Sequence, residues 1–174
     1  MIGLGHRQLI TACALFLSSG SANAAWAALV GRSPMDDKEK LTVMTLAKKD
    51  PLREKLRQIT PILFITCSVG NLQIYLSAGT LLTRDATTHI PGRIRYDSAP
   101  AESLLGDLST NSQAIFFAYA QEHLDHLLKA QRVLIEFKRF QAGTQIAEFD
   151  IAGLDRHLPL LKQHCRLPKL PALP

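Results

Sequence analysis

Two pairs of histidines are the side chains in this sequence whose type and spacing could support metal chemistry. His123 and His126 lie three residues apart, so both imidazoles would project from the same side of a helix. A zinc site needs at least a third protein ligand, however, and the sequence nominates none beside this pair. His157 and His164 also lack a third ligand. We therefore predict that the histidines lie along partly packed helix edges, with no bound metal and no other cofactor.

The sequence contains no motif for a catalytic nucleophile. A Gly-x-Ser-x-Gly elbow, a His-Glu-x-x-His motif and a glycine-rich phosphate loop are all absent from it. Asp36 and Asp37 could bind a cation, but adjacent acids more often form a turn in which their side chains accept backbone hydrogen bonds. We predict no catalytic residue and a protein that is not an enzyme. An envelope enzyme that uses His123, His126 or the acidic pair is an alternative.

Three arginines, Arg84, Arg93 and Arg95, form a possible anion-binding patch. Arg93 and Arg95 are two residues apart in a strand-like segment, so both would project from one face. Guanidinium groups bind carboxylates and phosphates in a bidentate manner. The alternative is that these arginines pair with acids on neighbouring strands. The acids available for such pairing are Asp85, Asp97 and Glu102.

The overall charge does not indicate a nucleic-acid partner. The 174-residue chain has a formal net charge of +5, but its basic residues are scattered and alternate with acids, as in the stretch KDPLREKLR. A mixed, solvated surface explains this pattern. We therefore expect no nucleic-acid partner.

Residues 1–24 have the three parts of a secretory signal peptide. A short basic region with Arg7 precedes an apolar stretch over 9–17, and Ala22 and Ala24 stand at the −3 and −1 positions of a cut before Ala25. No later segment approaches the roughly 20 apolar residues of a membrane span. The sequence therefore predicts a periplasmic protein without a transmembrane span in the processed chain.

The predicted signal peptide determines the expected state of the three cysteines. Cys13 lies in the leader, where Ile10-Thr11-Ala12-Cys13 superficially resembles a lipoprotein processing site, and lipid attachment there is the alternative to cleavage after Ala24. Cleavage leaves Cys67 and Cys165 in an oxidising compartment, which predicts one disulfide between them. Two buried reduced thiols are the alternative, because their distance in space is not given by the sequence.

Alternating apolar residues predict two β-hairpins. The first covers 61–78 with its turn at Val69-Gly70-Asn71, and it directs Cys67 towards the core. The second covers 131–151 with its turn near Gly143. Further strands are predicted over 40–46, 92–97 and 113–118.

Two helices are predicted late in the chain, near 119–130 and 153–165. Pro159 lies inside the second one, so that helix should either kink there or begin later. Together these elements predict an α+β fold, with a mainly antiparallel meandering sheet of about six to seven strands and two packed helices. A single domain should cover 25–165, followed by a proline-rich, extended tail over 166–174.

The arrangement of these segments resembles a known family. Trp26, the stretches LFITCSVGNLQIYLSAG and GRIRYD, and a closing strand, turn, strand and helix that end at Cys165 are similar to the VasI/TagO family of type VI secretion system-associated periplasmic proteins. The similarity is strongest in the closing segment. Its matching residues are Ala147, Phe149, Asp150, Gly153 and Leu154.

The resemblance implies an accessory component of a type VI protein secretion system. Such a protein would act in the periplasm through contacts with envelope proteins of the secretion machine, and no catalytic residue is implied. A periplasmic inhibitor or binding protein for a cell-wall hydrolase is the alternative, because compact disulfide-linked β-rich domains suit that role.

Overall fold

The computed structural model of the protein describes residues 26–48, 59–83 and 92–167. Within these ranges, ten β-strands form two antiparallel sheets, one helix lies between β8 and β9, and another helical segment follows β10. The strands are β1 (Ala27–Arg32), β2 (Glu39–Leu46), β3 (Ile62–Ser68), β4 (Asn71–Ser77), β5 (Arg93–Tyr96), β6 (Glu102–Ser103), β7 (Gly106–Leu108), β8 (Ala114–Phe117), β9 (Arg132–Arg139) and β10 (Gly143–Asp150).

The two sheets differ in how their strands are connected. The six-stranded sheet has the order β1-β2-β3-β4-β8-β7, and its first four strands follow the chain as a meander. The four-stranded sheet has the order β10-β9-β5-β6. The chain therefore leaves the first sheet after β4, builds β5 and β6 of the second sheet, returns for β7 and β8, and closes with the β9–β10 hairpin.

One hydrophobic core lies between the sheets. Alternate residues of the central strands point into it, so that Leu63 and Ile65 from one sheet join Ile135, Phe137 and Phe149 from the other, each 0% exposed. Period-2 burial on both sheets is typical of two layers that pack face to face. The remaining face of each sheet points away from the core.

The helices pack their apolar residues into this core. Helix α1 (Ala120–Leu127) buries Leu124 and Leu127, and a 3₁₀ turn (Leu154–His157) leads directly into helix α2 (Leu158–His164). Pro159 lies in the first turn of α2, where its missing N–H costs no helical hydrogen bond. The second predicted helix therefore begins later, as a 3₁₀ turn followed by a short α-helix.

The α+β fold with mainly antiparallel strands and two helices is confirmed. The strands belong to two sheets, not to one meander, because β5 pairs with β9 and β4 pairs with β8. Short strands β6 and β7 occupy a region whose turn residues predicted no strand, and β1 was not predicted either.

The predicted leader, most of the predicted tail and Arg84 lie outside the described residues. Among the residues that the structure describes, no helix has the length and apolarity to cross a membrane.

Candidate interaction face

Cys67 and Cys165 lie together at disulfide-bonding distance. Their Cα atoms are 5.3 Å apart, within the usual range for a disulfide, and the residues are 1% and 5% exposed. Cys67 lies on β3 and Cys165 directly follows α2, so the bond attaches the end of the fold to the six-stranded sheet. The Arg166 N–H donates to the Gly70 carbonyl oxygen at 3.0 Å and holds the same junction. This is the pairing that the cysteine count predicts.

An aromatic row crosses the outer face of the six-stranded sheet. Phe64, Tyr75 and Phe116 are in register on β3, β4 and β8, and they alternate with core residues, so their rings point away from the core. The Phe64 and Tyr75 ring centroids are 4.7 Å apart, and those of Tyr75 and Phe116 are 4.8 Å apart. Met44 of β2 lies beside Phe64 and extends the row towards β1. We call Phe64, Tyr75 and Phe116 the aromatic row.

The face around the aromatic row carries no charged side chain across five neighbouring strands. Its charged borders are Lys40 on β2 and Asp107, which lies opposite Phe116 on β7. Leu29 and Leu46 on its other side are 65% and 58% exposed, whereas Thr66 near its centre is buried. Between the borders, the outward positions are Ala27, Leu29, Thr42, Met44, Leu46, Ile62, Phe64, Thr66, Gln73, Tyr75, Ser77, Ala114 and Phe116. Depletion of charge together with aromatic and methionine side chains is typical of the centre of a protein interface.

The predicted histidine pair belongs to a different cluster. Nδ1 of His123 lies 2.6 Å from the Tyr96 hydroxyl, and the His126 ring stacks on Tyr96 with centroids 5.0 Å apart. Phe117 contacts the His123 ring edge-on. Among the described residues, no group of three or more His, Cys, Asp and Glu side chains could hold a metal. The histidines therefore form a packed aromatic cluster on the flank of α1.

Burial controls the ionisation of this cluster. It lowers the pKa of His123, and although Glu102 and Glu122 oppose that effect, His126 adds to it. Burial, with a smaller contribution from Glu102, raises the pKa of Tyr96. Tyr96 therefore keeps its proton. In the neutral His123 tautomer that carries its hydrogen on Nε2, the Tyr96 hydroxyl donates a hydrogen bond to Nδ1, and protonation of Nδ1 would remove this acceptor.

We expect the protein to lose stability as the pH falls below about 6.5 because of His123. In the unfolded chain the imidazole gains a proton near its ordinary pKa, whereas the folded protein binds that proton less well, so acid favours unfolding. The loss is about 1.4 kcal/mol for every tenfold difference in proton affinity between the two states. Thermal unfolding at pH 7.5 and pH 5.0 measures it.

A His123→Gln variant should show a smaller decrease in melting temperature between these two pH values than the wild type. The matched control is His157→Gln, which removes a histidine that lies in the 3₁₀ turn, away from Tyr96. Equal pH dependence in the wild type and the His123→Gln variant would show that another group is responsible.

The structure shows only part of the predicted arginine patch. Arg93 forms a bidentate ion pair with Glu136 on β9, with N–O distances of 2.8 and 2.7 Å. This contact raises the pKa of Arg93 and lowers that of Glu136. Arg95 lies on the same strand face, and its buried Nε has no hydrogen-bond partner among the described residues. Arg93 therefore pairs across strands, but with an acid that the sequence analysis did not name.

Comparisons with known proteins give a fold and no family. No family model matches the chain, and no curated protein matches it. A solved structure, described as the crystal structure of invasion associated protein B from Bartonella henselae, matches with a TM-score of 0.54 and 10% sequence identity. The match covers 82% of this chain and 94% of that chain. At this identity the likeness shows a shared fold alone.

The outer face was not found by the sequence analysis. Alternation places Tyr75 and Gln73 on the side of β4 opposite to the core. This pattern is typical of an ordinary solvent-exposed sheet face. The aromatic row depends on the register of three strands. Phe116 on β8 lies 39 residues after Ser77, the last residue of the β3–β4 hairpin. The aromatic residues in 113–118 were the available signal.

Proposed function

We propose that this protein is an exported, non-enzymatic accessory component of a type VI secretion system that acts in the periplasm through contacts with envelope proteins of that machine. The secretion system is inferred from the sequence resemblance. The observation that carries the contact role is the uncharged outer face with its aromatic row. The predicted leader over 1–24 and the paired Cys67 and Cys165 support export, since disulfides form in oxidising compartments.

An uncharged and partly exposed aromatic face suits a protein partner better than a sugar or an anion. Phe64 and Tyr75 stack with an interplanar angle of 16°, and Phe116 is tilted by 34° against Tyr75, so neighbouring rings partly cover each other. The surface thus offers less open ring face for stacking on a sugar. Between its borders, the strands that the structure describes place no cation on it that could bind a phosphate. Apolar side chains of a partner protein can pack on it and exclude water.

A Tyr75→Lys variant should lose partner binding by about tenfold or more, because a charge in the centre of an apolar interface must be desolvated without a counter-charge. The measurement is recovery of secretion-machine proteins with the processed, tagged protein from a periplasmic fraction. Tyr75→Phe should retain recovery because the ring stays. Thr144→Lys is the matched control, since it adds the same charge to an exposed position of β10 on the other sheet.

Two results would contradict the proposal. One is a cytoplasmic location of the full chain. The other is equal recovery of secretion-machine proteins by the wild type and Tyr75→Lys. Inhibition of a purified muramidase by the wild-type protein, lost in Tyr75→Lys, would instead assign the alternative role as an inhibitor of a cell-wall hydrolase.

A further inference from the structure

The edge strand β1 lacks the protection that the other sheet edges have. Strands β6 and β7 have two and three residues, and β10 carries the charged residues Glu148 and Asp150. Short length and charge are devices by which natural edge strands avoid pairing with other chains. β1 has six residues with the sequence AALVGR, no proline and one charge, at its last residue. It is therefore a template for another strand.

β1 is held in place by its own chain and is available on its far side. All six residues pair with β2, from Ala27 opposite Met44 to Arg32 opposite Glu39. The Trp26 indole N–H donates to the Ile151 carbonyl oxygen at 3.3 Å and anchors the start of the strand. The far edge of β1 pairs with no described strand. A partner strand would thus meet an ordered edge and not a frayed terminus.

The second layer of the sandwich does not cover β1. Each of its residues is exposed, including Leu29 on the outer face at 65% and Val30 on the opposite face at 46%. Exposure on both faces means that β1 extends beyond the four-stranded sheet. The edge strand of another molecule could therefore pair with β1 without a clash between the four-stranded sheets of the two molecules.

We propose that β1 is a docking edge for a second copy of this chain. The two β1 strands pair antiparallel about a twofold axis, with Leu29 opposite Leu29 of the second copy, and join the two six-stranded sheets into one. A strand that pairs antiparallel with its own copy is self-complementary, as a twofold interface requires. In this register Ala28 lies opposite Val30 of the second copy, and the outer faces of the two sheets are continuous. This inference does not depend on the secretion machine.

The composition of β1 suits a second copy as the occupant, because the uncharged residues Ala27 to Gly31 would face an equally uncharged segment. The pairing brings two uncharged segments together and places the two Arg32 side chains at opposite ends, about 20 Å apart at about 3.4 Å per residue. That separation exceeds the Debye length of about 8 Å at physiological salt, so the arginines do not oppose pairing. The full chain has a formal net charge of +5, and Arg7 of the predicted leader contributes one of these charges, so each processed copy has a net charge of +4. Salt screens the repulsion between copies, so association should become stronger as salt increases.

The test is sedimentation of the processed protein, purified from the periplasm, over a range of concentrations. A single strand pair buries little surface, so we expect a reversible dimer over about 10 to 500 μM, as is typical of small interfaces. Raising salt should shift the equilibrium towards the dimer. Leu29→Lys places two like charges opposite each other and should weaken dimerisation about tenfold or more. Met35→Lys is the matched control, because this 92% exposed residue lies in the turn just beyond β1.

A cross-linking arm tests the register directly. Leu29→Cys should form an intermolecular disulfide much faster than Met35→Cys, since facing residues of an antiparallel pair have Cα atoms about 4.5 to 5.5 Å apart. A wild type that stays monomeric at the highest concentration, with equal cross-linking of the two cysteine variants, would overturn the proposal. So would a dimer that Leu29→Lys leaves intact, or a Leu29→Cys protein that cross-links in cells to a different envelope protein and not to itself.

Discussion

Replacing Cys165 by Ser should lower the free energy of unfolding by about 2 to 5 kcal/mol, the largest effect that we expect from a single substitution. The bond joins residues separated by 98 positions, and on the chain-entropy model a loop of that size restricts the unfolded chain by roughly 4 to 5 kcal/mol. The melting temperature should fall by about 8 to 20 °C. Both cysteines are buried, so reduction of the folded protein should be slow until it opens.

The control for Cys165→Ser is the same substitution at the third cysteine of the chain, Cys13. Cys13→Ser should leave the stability of the processed protein unchanged, because that residue lies in the predicted leader. Intact mass and thiol titration under denaturing conditions complete the measurement: the exported wild type should start at Ala25 and show no reactive thiol. Two titratable thiols would contradict the disulfide, and a lipid on Cys13 would contradict cleavage at Ala24.

A cysteine count was enough to predict this pair, whereas the sheet assignment needed more than the sequence offers. Period-2 alternation in segments such as 92–97 shows that a strand has one buried face. It does not show which strand lies next to it. The chain passes from β4 to β5 in the other sheet and later returns to place β8 against β4, and alternation is the same whichever sheet receives the strand.

Strand β1 shows a different limit. The segment AALVGR begins two residues after the predicted leader and is rich in small residues, so its local pattern does not distinguish a strand from a linker. Pairing with β2 over six positions, together with the Trp26 anchor, supplies the order that the segment lacks by itself. Tertiary contacts determine the secondary structure of such a segment. They therefore also create the edge that we propose for dimerisation.

The candidate sites divide in the same way. The placement of His123 and His126 on a helix flank followed from the spacing of the leucines around them. Their contact with Tyr96 could not be predicted, since Tyr96 comes from β5, 27 positions before His123. The aromatic row likewise assembles Phe64, Tyr75 and Phe116 from three strands. Long-range register creates both clusters, and a single sequence does not contain that information.

Gly106→Ala should be strongly destabilising although the substitution adds only one methyl group. A Cβ at this position would press against the Phe116 carbonyl oxygen and lie 3.1 Å from its carbonyl carbon. These are backbone atoms of the paired strand β8, and they cannot rotate away as a side chain could. Strands β7 and β8 must therefore separate, at a cost of about 1 to 3 kcal/mol for overpacking.

Gly31→Ala is the matched control, because a Cβ there meets no atom within 4 Å. It should be neutral or slightly stabilising, since alanine loses less conformational entropy than glycine on folding. Thermal unfolding of the two variants gives the comparison, with an expected decrease of about 3 to 12 °C for Gly106→Ala alone. Displacing β8 also moves Phe116, so Gly106→Ala should reduce partner recovery even at temperatures where it is folded. Equal melting temperatures for the two variants would show that β7 can move aside without a loss of stability. The close β7–β8 contact would then not be what holds Phe116 in the aromatic row.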